Sequence, residues 1–219
     1  MSLRSLLSVG ADSDLALSAP DRAPTDFRTL RAHIDRIGRQ LAAQGLTRSD
    51  RVAIVLPNGP EMATAFLAVA SFMSAAPLNP NYKRSEYAFY LEDLRRKLGI
   101  VEKDSTNPVC EAAAELGIQL VEIDVAANAT AGIFTLFDDE SDAVPSGADD
   151  EALVLHTSGT TSRPKVVPLL HRNIAASARN IAASVKLDSG DHCLNIMPLF
   201  HIHGLIAVLT TSMSTGASV

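Results

Sequence analysis

Apolar residues at Leu30, Ile34, Ile37 and Leu41 recur at helical spacing, while Arg31, Asp35, Arg39 and Gln40 fall on the other side. That pattern predicts an amphipathic helix with one buried face, and Gly45 is placed to end it. The run 52–56 is continuously apolar and closes on Pro57-Asn58-Gly59-Pro60, as a buried strand entering a tight turn does. A second helix is expected from about Glu61. The apolar stretch 62–78, broken only by Thr64, Ser71, Ser74 and Pro77, reads as one buried helix. Ser85 is a candidate cap for a third helix that turns Tyr87, Tyr90, Leu91 and Leu94 inward. Segments 98–101 and 119–123 read as strands, with 109–116 as the helix between them.

From 138 to 150 the chain turns acidic and poor in large apolar residues, with Pro145 and Gly147. This is expected to be an exposed linker between a segment 1–137 and a segment 151–219. Beyond it come a short apolar strand at 152–155, a helix over about 172–185 and a strand at 193–196. A His-Ile-His turn and a further helix follow, and 216–219 reads as the opening of another strand. Helices alternating with continuously apolar strands predict an α/β layered fold whose largely parallel sheet is covered on both faces. No internal repeat is visible.

Composition narrows the class. At 219 residues and 47% hydrophobic, the chain can bury a real core. Its net charge is −6 with both signs mixed along the chain, so no basic stripe suits a nucleic acid. The Leu-rich start after Arg4 is too short for a signal-peptide core, and no apolar run reaches the ~20 residues of a membrane span. Two cysteines, Cys110 and Cys193, in apolar surroundings suggest buried free thiols in a cytoplasmic protein.

The richest chemistry lies in Leu155-His156-Thr157-Ser158-Gly159-Thr160-Thr161-Ser162-Arg163-Pro164-Lys165. A strand emptying into a hydroxyl-rich, basic loop suits a polyphosphate. Hydroxyls and backbone N–H groups donate to phosphate oxygens, Gly159 permits close approach, and Lys165 offers a mobile positive charge. The bland reading is an ordinary strand-to-strand loop, since Ser, Thr and Gly are common in turns. The nucleotide-hydrolase P-loop is excluded: counted from Gly159, Pro164 stands at its second glycine and Val166 at its metal-binding hydroxyl. Ser158 lacks the Gly-x-Ser-x-Gly elbow of a hydrolase nucleophile.

The loop resembles the phosphate loop of the AMP-forming acyl-CoA ligases, the adenylate-forming superfamily, which carries Ser-Gly-Thr-Thr-Gly-x-Pro-Lys-Gly. Ser158 to Thr161 and Pro164-Lys165 match, while Ser162 and Val166 replace glycines. Ser162 with Arg163 is similar to the oxalate–CoA ligase branch. Met197-Pro198-Leu199-Phe200-His201-Ile202-His203-Gly204 resembles the family's Pro-x-Phe-His-x-x-Gly motif, which reaches the acyl pocket. The stretches 50–58 and 76–80 also resemble the family's N-terminal region, so the resemblance spans nearly the whole chain in order.

The resemblance implies an N-terminal part of an ATP-dependent, AMP-forming carboxylic acid–CoA ligase, using ATP, Mg²⁺ and coenzyme A. Cofactor contacts would come from Thr157, Ser158, Gly159, Thr160, Thr161 and Lys165, with His201 at the wall between acyl pocket and α-phosphate. His203 would meet a small polar or anionic acid such as oxalate. The family's Tyr-Gly-x-Thr-Glu motif, ribose-binding Asp, hinge and C-terminal catalytic Lys have no counterpart in these 219 residues, which alone are expected to be inactive. The alternative is a non-catalytic phosphate-binding or interaction module on the same fold. His201 and His203 have the His-x-His spacing of a zinc site, but only His192 and Cys193 are near enough in sequence to add ligands, and no metal site is assigned. A structural histidine is the plain alternative for His203 and for His156 at the strand end, and Arg163 divides evenly between phosphate and solvent.

Overall fold

The computed structural model describes residues 1–94, 98–157 and 164–219. One six-stranded sheet forms its centre, in the order β6-β5-β3-β4-β7-β8. The strands are β3 (Arg51–Val55), β4 (Ser74–Pro77), β5 (Leu98–Glu102), β6 (Gln119–Ile123), β7 (Glu151–Thr157) and β8 (Lys165–Leu170). All neighbours pair in parallel except β7 and β8, which form an antiparallel pair. A small ribbon of β1 (Leu15–Leu17) and β2 (Thr25–Asp26) precedes them, after the short helix α1 (Leu3–Leu6).

The alternation of strand side chains supplies two cores. Val52 and Ile54 of β3 point into the larger one, packed by α2 (Phe27–Ala43) and α3 (Pro60–Phe72). Ala53 and Val55 point to the opposite face, where α4 (Arg84–Asp93) and α5 (Val109–Glu115) lie. A sheet covered on both faces explains the continuous apolar runs Val52–Val55 of β3 and Leu98–Val101 of β5.

Helix α2 begins where the Asp26 carboxylate accepts from Thr29 N at 2.7 Å, and it buries Leu30, Ile34, Ile37 and Leu41 completely. Each such side chain is worth about 1.5–3 kcal/mol over its exposed state. Gly38 is where α2 meets α3: a Cβ there would stand 2.4 Å from the Phe72 ring. Helix α3 is buried from Met62 through Phe72, so it shows no polar face.

Several expectations are overturned. The apolar stretch 62–78 is not one helix: α3 stops at Phe72, and Ser74–Pro77 form β4 between β3 and β7. Small residues with weak strand propensity form this central strand, buried at every position between β3 and β7, so tertiary context overrides propensity. Ser85 is not the cap of α4; Lys83 holds that position, and its N–H donates to Glu86 Oε2 at 2.9 Å. Cys110 and Cys193 are free but half-buried rather than buried.

The stretch 138–150 is mostly exposed, with Ser146 buried, and joins β6 to β7 of the same sheet. Glu140 ties it to α2 through Arg36 at 3.1 Å and Arg39 at 2.7 Å. After α6 (His171–Val185) the strand expected at 193–196 does not form; His192 and Ser218 make one parallel bridge, and Cys193 N donates to Ser218 O at 2.9 Å. A π-helical segment (His203–Thr210) and α7 (Thr211–Thr215) follow. No helix among the described residues is long and apolar enough to cross a membrane.

Candidate functional site

Parallel sheets bind ligands outside the C-terminal ends of their strands, where loops converge and strands can part. Here β4 and β7 share a single register pair, Ala75 with Leu153. Above it they separate. Leu78 N stays with β3 through Ile54 O at 2.9 Å, while β7 continues alongside β8. The gap is a cavity of about 220 Å³ lined by Pro77, Leu78, Asn79 and Tyr82 on one side and Leu155, His156, Val167 and Leu169 on the other. Phe200, His201 and Ile202 form its remaining wall.

The β7–β8 pair brings the ends of the phosphate-loop motif together, with Thr157 directly opposite Lys165. Ser158, Gly159, Thr160, Thr161 and Arg163 lie outside the described residues, as does the side chain of Thr157. Lys165 is exposed and forms no ion pair with the described residues. An unneutralised ammonium beside a strand end fits an anionic ligand better than a structural role. No cluster of three or more His, Cys, Asp or Glu side chains converges among the described residues.

His201 stands on the cavity wall, exposed, its ring 4.5 Å from that of Phe200. Two asparagines hold the turn that carries it. Asn58, just beyond β3, accepts from Leu199 N at 2.8 Å and donates to Met197 O at 3.4 Å. Asn195 accepts from Met197 N at 3.1 Å and donates to Gly204 O at 3.2 Å. Gly204 packs so closely that a Cβ would stand 2.6 Å from Pro198 O. His203 opens the π-helical segment, exposed and away from the cavity lining, so the structure does not bring it together with His201 there.

His156 is more than a strand end. Its Nε2 lies 3.1 Å from Asp93 Oδ2, and its ring meets Tyr90 edge-on at 4.5 Å. Tyr90 in turn stacks on Tyr82 at 4.8 Å, and burial pushes the Tyr82 hydroxyl's pKa upward. Tyr87, fully buried, donates to Asn79 O at 2.8 Å and fixes the end of β4, its pKa pushed up to about 12 chiefly by burial. Sequence reasoning passed over Asn58, Asn79, Tyr82 and Asn195. Asn58 sits in a Pro-Asn-Gly-Pro turn whose partner lies 141 residues away, which no local pattern signals.

A larger, open depression of about 800 Å³ lies at the opposite ends of β3, β4 and β7, lined by Arg48, Arg51, Asp149, Asp150 and Glu151 among others. Its charges are already matched, with Arg51 donating from Nε and Nη2 to the two carboxylate oxygens of Glu151, each at 2.7 Å. The C-terminal cleft, with the exposed His201 on its wall and the exposed Lys165 at the start of β8, is therefore the candidate site.

A family model for AMP-binding enzymes matches residues 13–219. The chain belongs to the AMP-binding enzyme family. An oxalate–CoA ligase of Arabidopsis thaliana is 39% identical over 213 residues, covering 93% of this chain and 41% of that protein. The oxalate–CoA ligase of Saccharomyces cerevisiae is 40% identical over 199 residues, covering 78% and 37%. The chain thus spans about two-fifths of the length of the curated relatives it matches. Among solved structures, ligand-free MatB from Rhodopseudomonas palustris superposes over the whole chain and 44% of its own, with a TM-score of 0.85 and 24% identity, which supports the fold alone. The O-succinylbenzoate coenzyme A synthetase MenE of Bacillus subtilis, in complex with AMP, reaches a TM-score of 0.81 at 28% identity over 99% of this chain and 54% of its own.

Proposed function

We propose that the protein carrying this chain is an AMP-forming carboxylic acid–CoA ligase of the cytoplasm acting on a small polar acid, with oxalate the leading candidate. The observation that carries this reading is the cleft where β4 and β7 part, with His201 on its wall and the ends of the phosphate loop, Thr157 and Lys165, at its edge. The similarity to two oxalate–CoA ligases supports the acid class.

In the first half-reaction a carboxylate oxygen attacks the α-phosphorus of ATP, giving an acyl-adenylate and pyrophosphate. In the second, the thiol sulfur of coenzyme A attacks the acyl carbon, its proton is lost, and AMP leaves with the electron pair of the broken C–O bond. A Mg²⁺ ion bound to the triphosphate would supply charge neutralisation there, alongside Lys165. We assign Thr157, Ser158, Gly159, Thr160, Thr161 and Lys165 to the β- and γ-phosphates, the future leaving group. His201 is assigned to the wall facing acid and α-phosphate. The work of these groups is to offset charge and to hold the acid in line. A cavity of about 220 Å³ with an imidazole edge suits a small acid. His203, off that lining, receives no contact to the acid in this reading.

The test is acid-dependent exchange of labelled pyrophosphate into ATP across oxalate, malonate, acetate and a long-chain acid. Exchange greatest with oxalate is expected; exchange with none of them would remove the ligase reading. The 219 residues alone are expected to support no exchange, since they span about 41% of the Arabidopsis relative.

A further inference from the structure

The turn that presents His201 has no regular secondary structure to hold it, and Pro198 within it has no N–H to donate. Six of its backbone groups nonetheless have partners. Met197 N and Leu199 N donate to the side chains of Asn195 and Asn58, and Met197 O accepts from Asn58. His201 N donates back to Pro198 O at 3.1 Å, and Leu205 N donates to His201 O at 3.1 Å. Leu199 is buried in the main core, which fixes the turn's depth, but a single apolar anchor leaves rotation about it free.

We propose that Asn58 is a positioning residue for His201. Its amide reads one donor and one acceptor of the turn two residues apart, and so sets the angle at which His201 meets the cavity. The amide comes from the end of β3, whose residues Val52, Ala53, Ile54 and Val55 are buried in the centre of the sheet. A buried central strand thereby holds a loop 139 and 141 residues away in sequence. Asn195 grips the same turn from its other end and joins it to Gly204. The turn is also a partition. Leu199, with Asn58 and Asn195, lines a second cavity of about 290 Å³, while Phe200 and His201 face the first. Only an amide fits this role at Asn58. A carboxylate keeps the acceptor for Leu199 N–H but sets an anion against Met197 O, and a leucine of similar shape loses both bonds.

The inference rests on the ligase reading for its kinetic consequence, and its structural part is measured apart from activity. In the protein carrying this chain, the ring signal of His201 is assigned by NMR from its loss in His201→Gln. Asn58→Leu should move that signal while leaving those of the buried His33 and His171 in place. An unmoved His201 signal overturns the proposal. In acid-dependent pyrophosphate exchange, Asn58→Leu should raise the KM for the acid or lower kcat by about five- to tenfold, as expected for losing a neutral hydrogen bond, with the KM for ATP unchanged. Asn58→Asp should fall between the two. In a His201→Ala background the same Asn58→Leu change should cost less than about twofold, because nothing is left to position. Full multiplication of the two effects would overturn the proposal. If the unaltered protein exchanges no pyrophosphate, the ligase reading falls by itself, and the NMR shift alone decides the role of Asn58.

Discussion

The two ends of the central sheet are built from similar residue types and put them to opposite use. At the N-terminal ends of β3 and β7, charges meet their partners: Arg51 grips Glu151 with two bonds of 2.7 Å, and Arg48 lies 3.7 Å from Asp150. Nearby, the ring of His171, which follows β8, is fully buried and accepts from Leu3 N at 3.0 Å, tying the start of the chain to α6. At the C-terminal ends the strands part, and Lys165 and His201 are exposed without a carboxylate partner among the described residues. The lesson is that charge matching, more than cavity size, separates a structural end from a functional one. The larger depression sits at the matched end.

The comparison breaks first under acid. Burial depresses the pKa of both His171 and His33 to about 4 from an ordinary 6.5. Both therefore stay neutral in the fold below the pH at which the unfolded chain charges. Their stability contribution is complete above about pH 6.5 and is lost as the pH falls toward 4, by roughly 3 kcal/mol for each at about 1.4 kcal/mol per unit. Urea midpoints taken across that window should drop steeply, and His171→Gln should flatten the slope. A flat profile in the unaltered protein would contradict the account.

The next largest effect belongs to the open end. Lys165→Ala should lower acid-dependent pyrophosphate exchange by about ten- to a hundredfold, the cost of a lost charge-assisted contact, while the urea midpoint stays in place. The converse holds at the closed end. Arg51→Ala should cost about 1–2 kcal/mol of stability, because Glu151 is left half-buried without its partner, yet leave exchange per folded molecule unchanged. The smallest effect is expected at His203, which is exposed and off the cavity lining. His203→Phe should alter the ranking of acids by no more than about twofold, against a clear loss for His201→Ala. A reordered ranking would bring His203 back to the acid.

How much of this was legible in the sequence follows from which forces act locally. The stripe Leu30, Ile34, Ile37 and Leu41 and the strands at 52–56, 98–101 and 119–123 announce themselves because burial on one or both faces imposes a period or a run. Strand β4 does not, since Ser74-Ala75-Ala76-Pro77 carries neither and is defined only by its neighbours β3 and β7. The cap of α4 is not legible either, because Ser85 has the better capping side chain whereas the backbone turns at Lys83. In the site, the loop from Thr157 to Lys165 and His201 stand out by residue type. Asn58, Asn79 and Tyr82 do not, because their roles come from contacts across the sheet. His156 stands between these cases: its place at the strand end is readable, but its pairing with Asp93 across 63 residues is not.

The most direct test of the central claim is the identity of the nucleotide released when the protein carrying this chain is given oxalate, ATP and coenzyme A. Phosphorus NMR should show AMP and pyrophosphate accumulating in equal amounts, one of each per thioester formed. ADP and inorganic phosphate, or nucleotide turnover that ignores every acid, would contradict it.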